Sequence, residues 1–134
     1  MDGAMTINKL PFPKAVIFDW DDTLVDTWPV AFAAINTMLE AMGHAAWSEE
    51  EANRRIGPSA RDLFPQLFGD RWQEADKIFI EAIRSGFRDN MKTIEGASSL
   101  LKAFSDMNIF IGIVSNKRGQ LLREEVTALS WNSY

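Results

Sequence analysis

Residues 15–27, AVIFDWDDTLVDT, constrain the rest of the chain more than any other stretch. An apolar run rich in β-branched and aromatic types passes directly into Asp19, Asp21, Asp22 and Thr23. A short apolar segment that ends in a polar loop reads as a strand buried on both faces, of the kind found inside a parallel α/β sheet. Ligands of open α/β sheets bind beyond the carboxyl ends of the strands, so chemistry is expected at Asp19 and in the loop after it.

Past that loop the apolar period becomes helical. Ala31, Ala34, Ile35, Met38, Leu39 and Met42 follow i, i+3, i+4 spacing, with Thr27 or Asp26 as the expected cap, Pro29 in the first turn and Gly43 at the stop. Ser48 with Glu51 forms a capping-box pattern that opens a short helix ending near Ile56. Ser59 with Asp62 starts a further helical piece, which Pro65 is expected to break or restart. Asp70 is the expected cap of the longest periodic run, whose apolar face carries Trp72, Ala75, Ile78, Phe79, Ala82, Ile83 and Phe87. No strand signal interrupts residues 28–90.

Beyond a turn at Glu95-Gly96, the spacing of Ala97, Leu100, Leu101, Phe104 and Met107 predicts another helix. Residues 109–114, IFIGIV, then repeat the character of the first strand and run into Ser115-Asn116-Lys117. A last helix carries Leu121, Leu122, Val126 and Leu129. The pattern predicts an α/β fold: a Rossmann-like parallel-sheet core, incomplete in this chain, built from 1–27 and 93–134 and interrupted by an all-helical cap over 28–92.

Charge and composition narrow the partners. A net charge of −5 across 134 residues leaves no broad basic surface for phosphate backbones, so nucleic acid is not an expected partner. Small anions need only a few local cations and stay open. The absence of cysteine excludes disulfides, thiolate zinc sites and cysteine nucleophiles. No apolar run approaches the roughly 18 residues of a membrane span, and the N-terminal MDGAMTINKLPFPK lacks a signal-peptide core, so the expected compartment is the cytoplasm, with no membrane partner. Oligomeric state is not legible.

Parallel strands bring the loops at their carboxyl ends together, here one bearing carboxylates and one a hydroxyl, an amide and an ammonium. A carboxylate can attack phosphorus and form an acyl phosphate, dividing one hard displacement into two. It needs a cation between itself and the anionic substrate, and hard oxygen donors favour Mg²⁺. A second carboxylate two residues on can donate a proton to the leaving oxygen and later accept one from water. The hydroxyls of Thr23 and Ser115, with backbone N–H groups, can hold phosphate oxygens.

These features resemble the haloacid dehalogenase superfamily of aspartate-nucleophile phosphohydrolases. Asp19-Trp20-Asp21-Asp22-Thr23-Leu24 matches its first motif, a strand followed by D-x-D-x-T-L, and Ile113-Val114-Ser115-Asn116 matches its second. The helical block between them resembles the inserted cap of the branch that holds phosphoglycolate phosphatases and β-phosphoglucomutases. The resemblance implies that Asp19 is the nucleophile and a metal ligand, that Asp21 is the general acid/base and also touches the metal, and that Thr23, Ser115 and Asn116 bind the substrate phosphate. Lys117 and Arg61 are candidates for the edge of the substrate site, Lys117 otherwise being a solvated side chain.

The implied activity is Mg²⁺-dependent hydrolysis of a small phosphorylated metabolite, with a phosphomutase of the same family as the alternative. Asp22 stands where many members have glycine. The family's later lysine and acidic pair have no counterpart after Ser115, so the chain reads as the N-terminal part of such an enzyme, expected to be nearly inactive and poorly stable alone. A response-regulator receiver would need a third aspartate at the end of a middle strand, whereas Asp62 falls in a helical stretch. A non-catalytic fragment that pairs its open sheet edge with a partner is the remaining rival.

Overall fold

The computed structural model describes residues 10–56 and 60–134, without the side chains of 60 and 61. In chain order the elements are β1 (Ala15–Phe18), α1 (Trp28–Ala41), α2 (Glu49–Arg55), α3 (Ala60–Phe68), α4 (Trp72–Asn90), α5 (Ala97–Asp106), β2 (Phe110–Ile113) and α6 (Gly119–Ala128). The fold is α/β. The two strands pair in parallel, Ala15 opposite Phe110 and Phe18 opposite Ile113, and the Val114 amide extends the ladder by donating to the Phe18 carbonyl at 2.9 Å.

One face of this sheet is packed and the other is open. Phe18, Ile111 and Ile113 point inward onto Leu101 of α5, Leu122 and Val126 of α6, and Trp131. Ile17, Phe110 and Val114 point the other way and are 66%, 70% and 66% exposed. The expectation of a strand buried on both faces is therefore corrected: side chains alternate across a strand, and the described helices beside the sheet cover one side only.

Helices α1 and α4 run against each other, and their contact needs a small residue. A Cβ on Gly86 of α4 would lie 2.9 Å from Val30 Cγ1 of α1, closer than carbon atoms tolerate. Around this pair, Ile35, Met38, Leu39, Met42, Phe64 and Ala75 form one apolar cluster. Val30, Ala34 and Ile83 form another that also takes in Leu121 of α6. Phe87 of α4 reaches into the cluster under the sheet, so apolar packing is continuous from the sheet to the helices.

Three local expectations change. Pro65 lies inside an unbroken α3, because a proline deletes one backbone bond while Phe64, 1% exposed, anchors the same turn against Phe68 and Phe79. Asp70 does not cap α4: it sits in a short 3₁₀ turn, Gly69–Arg71, and α4 starts after Arg71 with no side-chain cap. Thr27 occupies the N-cap position of α1, one of the two expected, but its side chain makes no capping bond; Asp22 supplies that bond from the acidic loop. Ser48 caps α2 as expected, its hydroxyl accepting from the Glu51 amide at 3.1 Å, while the Ser59 expectation lies outside the described residues. Among the described residues, no helix is long and apolar enough to cross a membrane.

Candidate active site

The acidic loop is a tight, self-bonded turn. The amides of Thr23, Leu24 and Val25 converge on the Trp20 carbonyl at 3.0–3.3 Å, and the Asp22 amide donates to the Val25 carbonyl at 2.7 Å. Closing that turn places Asp22 at φ +58°, in the left-handed region that glycine adopts freely and aspartate tolerates. This accounts for glycine at the matching position of the resembled motif. The Asp22 carboxylate then accepts from the amides of Thr27 and Trp28 at 3.1 and 3.3 Å, satisfying donors that the first turn of α1 leaves free.

Asp19 lies directly after β1 and is exposed, its Oδ2 accepting from the Thr23 hydroxyl at 3.1 Å. Thr23 is not a helix cap. Ser115 lies two residues past β2 at the same end of the sheet, and its Oγ accepts from the Lys117 amide at 3.0 Å. The turn this bond closes carries Asn116 and turns the Lys117 side chain toward the acidic loop.

Lys117 departs from the solvated reading. Its side chain is 11% exposed, and Nζ donates to Asp21 Oδ1 at 2.6 Å and to Glu125 Oε2 at 2.7 Å. Glu125, on α6, is 2% exposed and also accepts from the indole N–H of Trp20 at 2.8 Å. Burial pushes the Glu125 carboxyl above the usual carboxylate range; the Lys117 ammonium and the Trp20 N–H oppose that rise. Trp20, the residue between the two aspartates, is wholly buried and packs edge-on against Trp131.

Neither Glu125 nor Trp20 was singled out in the sequence. The available signal was an acid four residues after Leu121, on the apolar face of the last helix, where a charge requires a partner.

Asp21, Asn116 and Lys117 line a cavity of about 290 Å³ between this loop region and helices α1, α3 and α4. Asp19, Thr23 and Ser115 are not among its lining residues. The side chain of Arg61 lies outside those described. Arg118 closes one side of the cavity through a two-pronged pair with Asp76 of α4 at 2.6 Å.

For a metal, the donors are hard oxygens of the right class, the Asp19 carboxylate and the loop around Asp21. No group of three or more His, Asp or Glu side chains converges among the described residues. This set fits an ion such as Mg²⁺, which keeps several waters and takes one or two carboxylates together with substrate phosphate.

The chain is 29% identical over 136 residues to a phosphoglycolate phosphatase of Xylella fastidiosa, covering 96% of this chain and 59% of that protein. It is 30% identical to an N-acetylmuramic acid 6-phosphate phosphatase of Pseudomonas aeruginosa, over 78% of this chain and 48% of the relative. The chain thus spans about half to three-fifths of the length of these curated relatives. Among solved structures, a predicted phosphoglycolate phosphatase from Haemophilus somnus superposes with a TM-score of 0.75 at 20% identity, over 87% of this chain and 57% of that one. A haloacid dehalogenase-like hydrolase from Streptococcus pneumoniae gives 0.73 at 19%, over 88% and 56%. Both likenesses establish the fold. The haloacid dehalogenase-like hydrolase family matches residues 16–134, both strand-end motifs included, and the chain belongs to that family.

Proposed function

We propose that this chain carries the nucleophile half of a Mg²⁺-dependent phosphomonoesterase that works through an aspartyl phosphate, with residues 28–92 acting as its cap. The observation that carries the reading is the arrangement of the first loop: Asp19 stands open to solvent at the end of β1 while Asp21, two residues on, faces the cavity.

In this reading an Asp19 carboxylate oxygen attacks phosphorus and the bond to the ester oxygen breaks. The leaving oxygen takes the proton of the Asp21 carboxyl. Asp21 then removes a proton from the water that attacks the aspartyl phosphate, which returns Asp19 and releases phosphate. Lys117 holds one Asp21 oxygen, Oδ1, and leaves the other free for the proton. Thr23 keeps Asp19 in one orientation through its hydroxyl, and Ser115 and Asn116 supply donors for phosphate. Bound at Asp19 and the main chain of the Asp21 loop, Mg²⁺ would neutralise charge between carboxylate and phosphate.

A stoichiometric reaction with a fluorogenic aryl phosphate in Mg²⁺ tests this. Phenol release that disappears in Asp19→Asn and persists in Asp26→Asn is the expected result. Release that survives in Asp19→Asn assigns the nucleophile elsewhere.

A further inference from the structure

The cavity beside Asp21 has a polar floor and apolar walls. Its charged lining side chains are already engaged: Lys117 by Asp21 and Glu125, Arg118 by Asp76, and Asp22 by the first turn of α1. Among the described lining residues, then, no cation is left over to receive a second negative group of a substrate.

The walls opposite the floor are Trp28 and Ala31 of α1 and Phe79, Ile80 and Ile83 of α4. Trp28 is a fixed surface. Its indole N–H donates to Glu49 at 2.9 Å, and its ring stacks on Phe32 with centroids 6.1 Å apart and planes 20° from parallel. A pre-set aromatic wall binds a flat apolar group with little ordering cost.

We infer that the substrate is a phosphate monoester whose organic part is an apolar or aromatic ring, seated against Trp28, Phe79 and Ile80 with its phosphate toward Asp21 and Asn116. The inference rests on the phosphomonoesterase reading and narrows it. Against these walls a second anion, such as the carboxylate of phosphoglycolate, would lose water, and none of the described lining side chains is free to pair with it. The volume, about 290 Å³, lies at the lower end of ligand pockets and has room for a phosphate with one ring.

The test is equilibrium binding to the 134-residue chain in Mg²⁺ buffer of four probes: orthophosphate, methylphosphonate, phenylphosphonate and 3-phosphonopropionate. The expected order has phenylphosphonate about tenfold or more tighter than methylphosphonate, and 3-phosphonopropionate no tighter than methylphosphonate. Trp28→Ala is expected to erase the phenyl preference with orthophosphate binding unchanged, and Trp28→Phe to keep it. Phenylphosphonate no tighter than methylphosphonate, or 3-phosphonopropionate as tight as phenylphosphonate or tighter, overturns the inference and leaves the phosphatase reading standing. Failure of every probe to bind, orthophosphate included, overturns both.

Discussion

Lys117 Nζ lies 2.6 Å from Asp21 Oδ1, joining the loops that follow the two strands. The pair is half of a larger unit, because the same ammonium sits against buried Glu125, itself held by the indole of Trp20. The position of Asp21 thus depends on a helix that follows the second strand.

Replacing Lys117 by methionine is expected to lower stability by about 2–3 kcal/mol, because it leaves the Glu125 charge buried with one neutral donor; the half-exposed Asp21 adds little. Lys117→Met with Glu125→Gln is expected to recover most of that loss, since removing both charges removes the uncompensated one. Urea unfolding of the two variants and the parent reads both outcomes.

The raised Glu125 carboxyl fixes the sign of a pH effect. Between the unfolded carboxylate value, about 4.3, and its higher folded value, the folded chain holds more protons than the unfolded one. The contribution of Glu125 is therefore fully present below that window and is lost as pH rises through it. Unfolding midpoints of the parent and Glu125→Gln, taken from pH 4 to 8, are expected to show a parent-minus-variant difference that falls with rising pH; a flat or rising difference contradicts the burial of this carboxyl.

Asp22 combines a left-handed backbone with a helix cap. Asp22→Ala loses the cap and keeps the unfavourable φ, and is expected to cost about 1–2 kcal/mol. Asp22→Gly loses the same bonds but relieves the backbone, so it is expected to be the milder change. Thermal melts of both rank them.

Gly86→Ala sets two effects against each other. Alanine favours a helix interior by about 1 kcal/mol over glycine, whereas the new methyl would stand 2.9 Å from Val30 Cγ1. Overpacking of about 1–3 kcal/mol is expected to win. Adding Val30→Ala is expected to make the Gly86→Ala step favourable, a reversal that denaturation of the four chains in the cycle measures.

Much of this was legible in the sequence because it follows short-range rules. The parallel strands, the helical faces around Ile35 and Ile83, and the Ser48 cap come from periodicity and local chemistry. Aspartates 19 and 21 fall beyond β1 for the same reason. What stayed hidden depends on contacts across the fold. Ile17 looks like a core residue from its neighbours in sequence, but its exposure depends on what packs across the sheet. Lys117 carries no sequence mark separating a solvated ammonium from a buried one; its burial follows from Glu125 one helix later and Trp20 one strand earlier. Asp22 reads as another loop acid until the backbone turns back onto α1.

The chain leaves the sheet region at Val25 and returns at Thr93, and those residues bridge to each other while the Asp26 amide donates to the Lys92 carbonyl at 2.9 Å. In topological terms, helices α1 to α4 are one long loop tied at the neck. Lengthening a flexible loop costs only about 0.6 kcal/mol per doubling, and here the knot fixes the two ends whatever the arm between them contains. The neck therefore predicts an exchangeable arm: a different set of helices spliced in there is expected to leave the strand pairing undisturbed, provided it still presents one apolar side chain where Phe87 meets the sheet cluster and another surface where Leu121 docks.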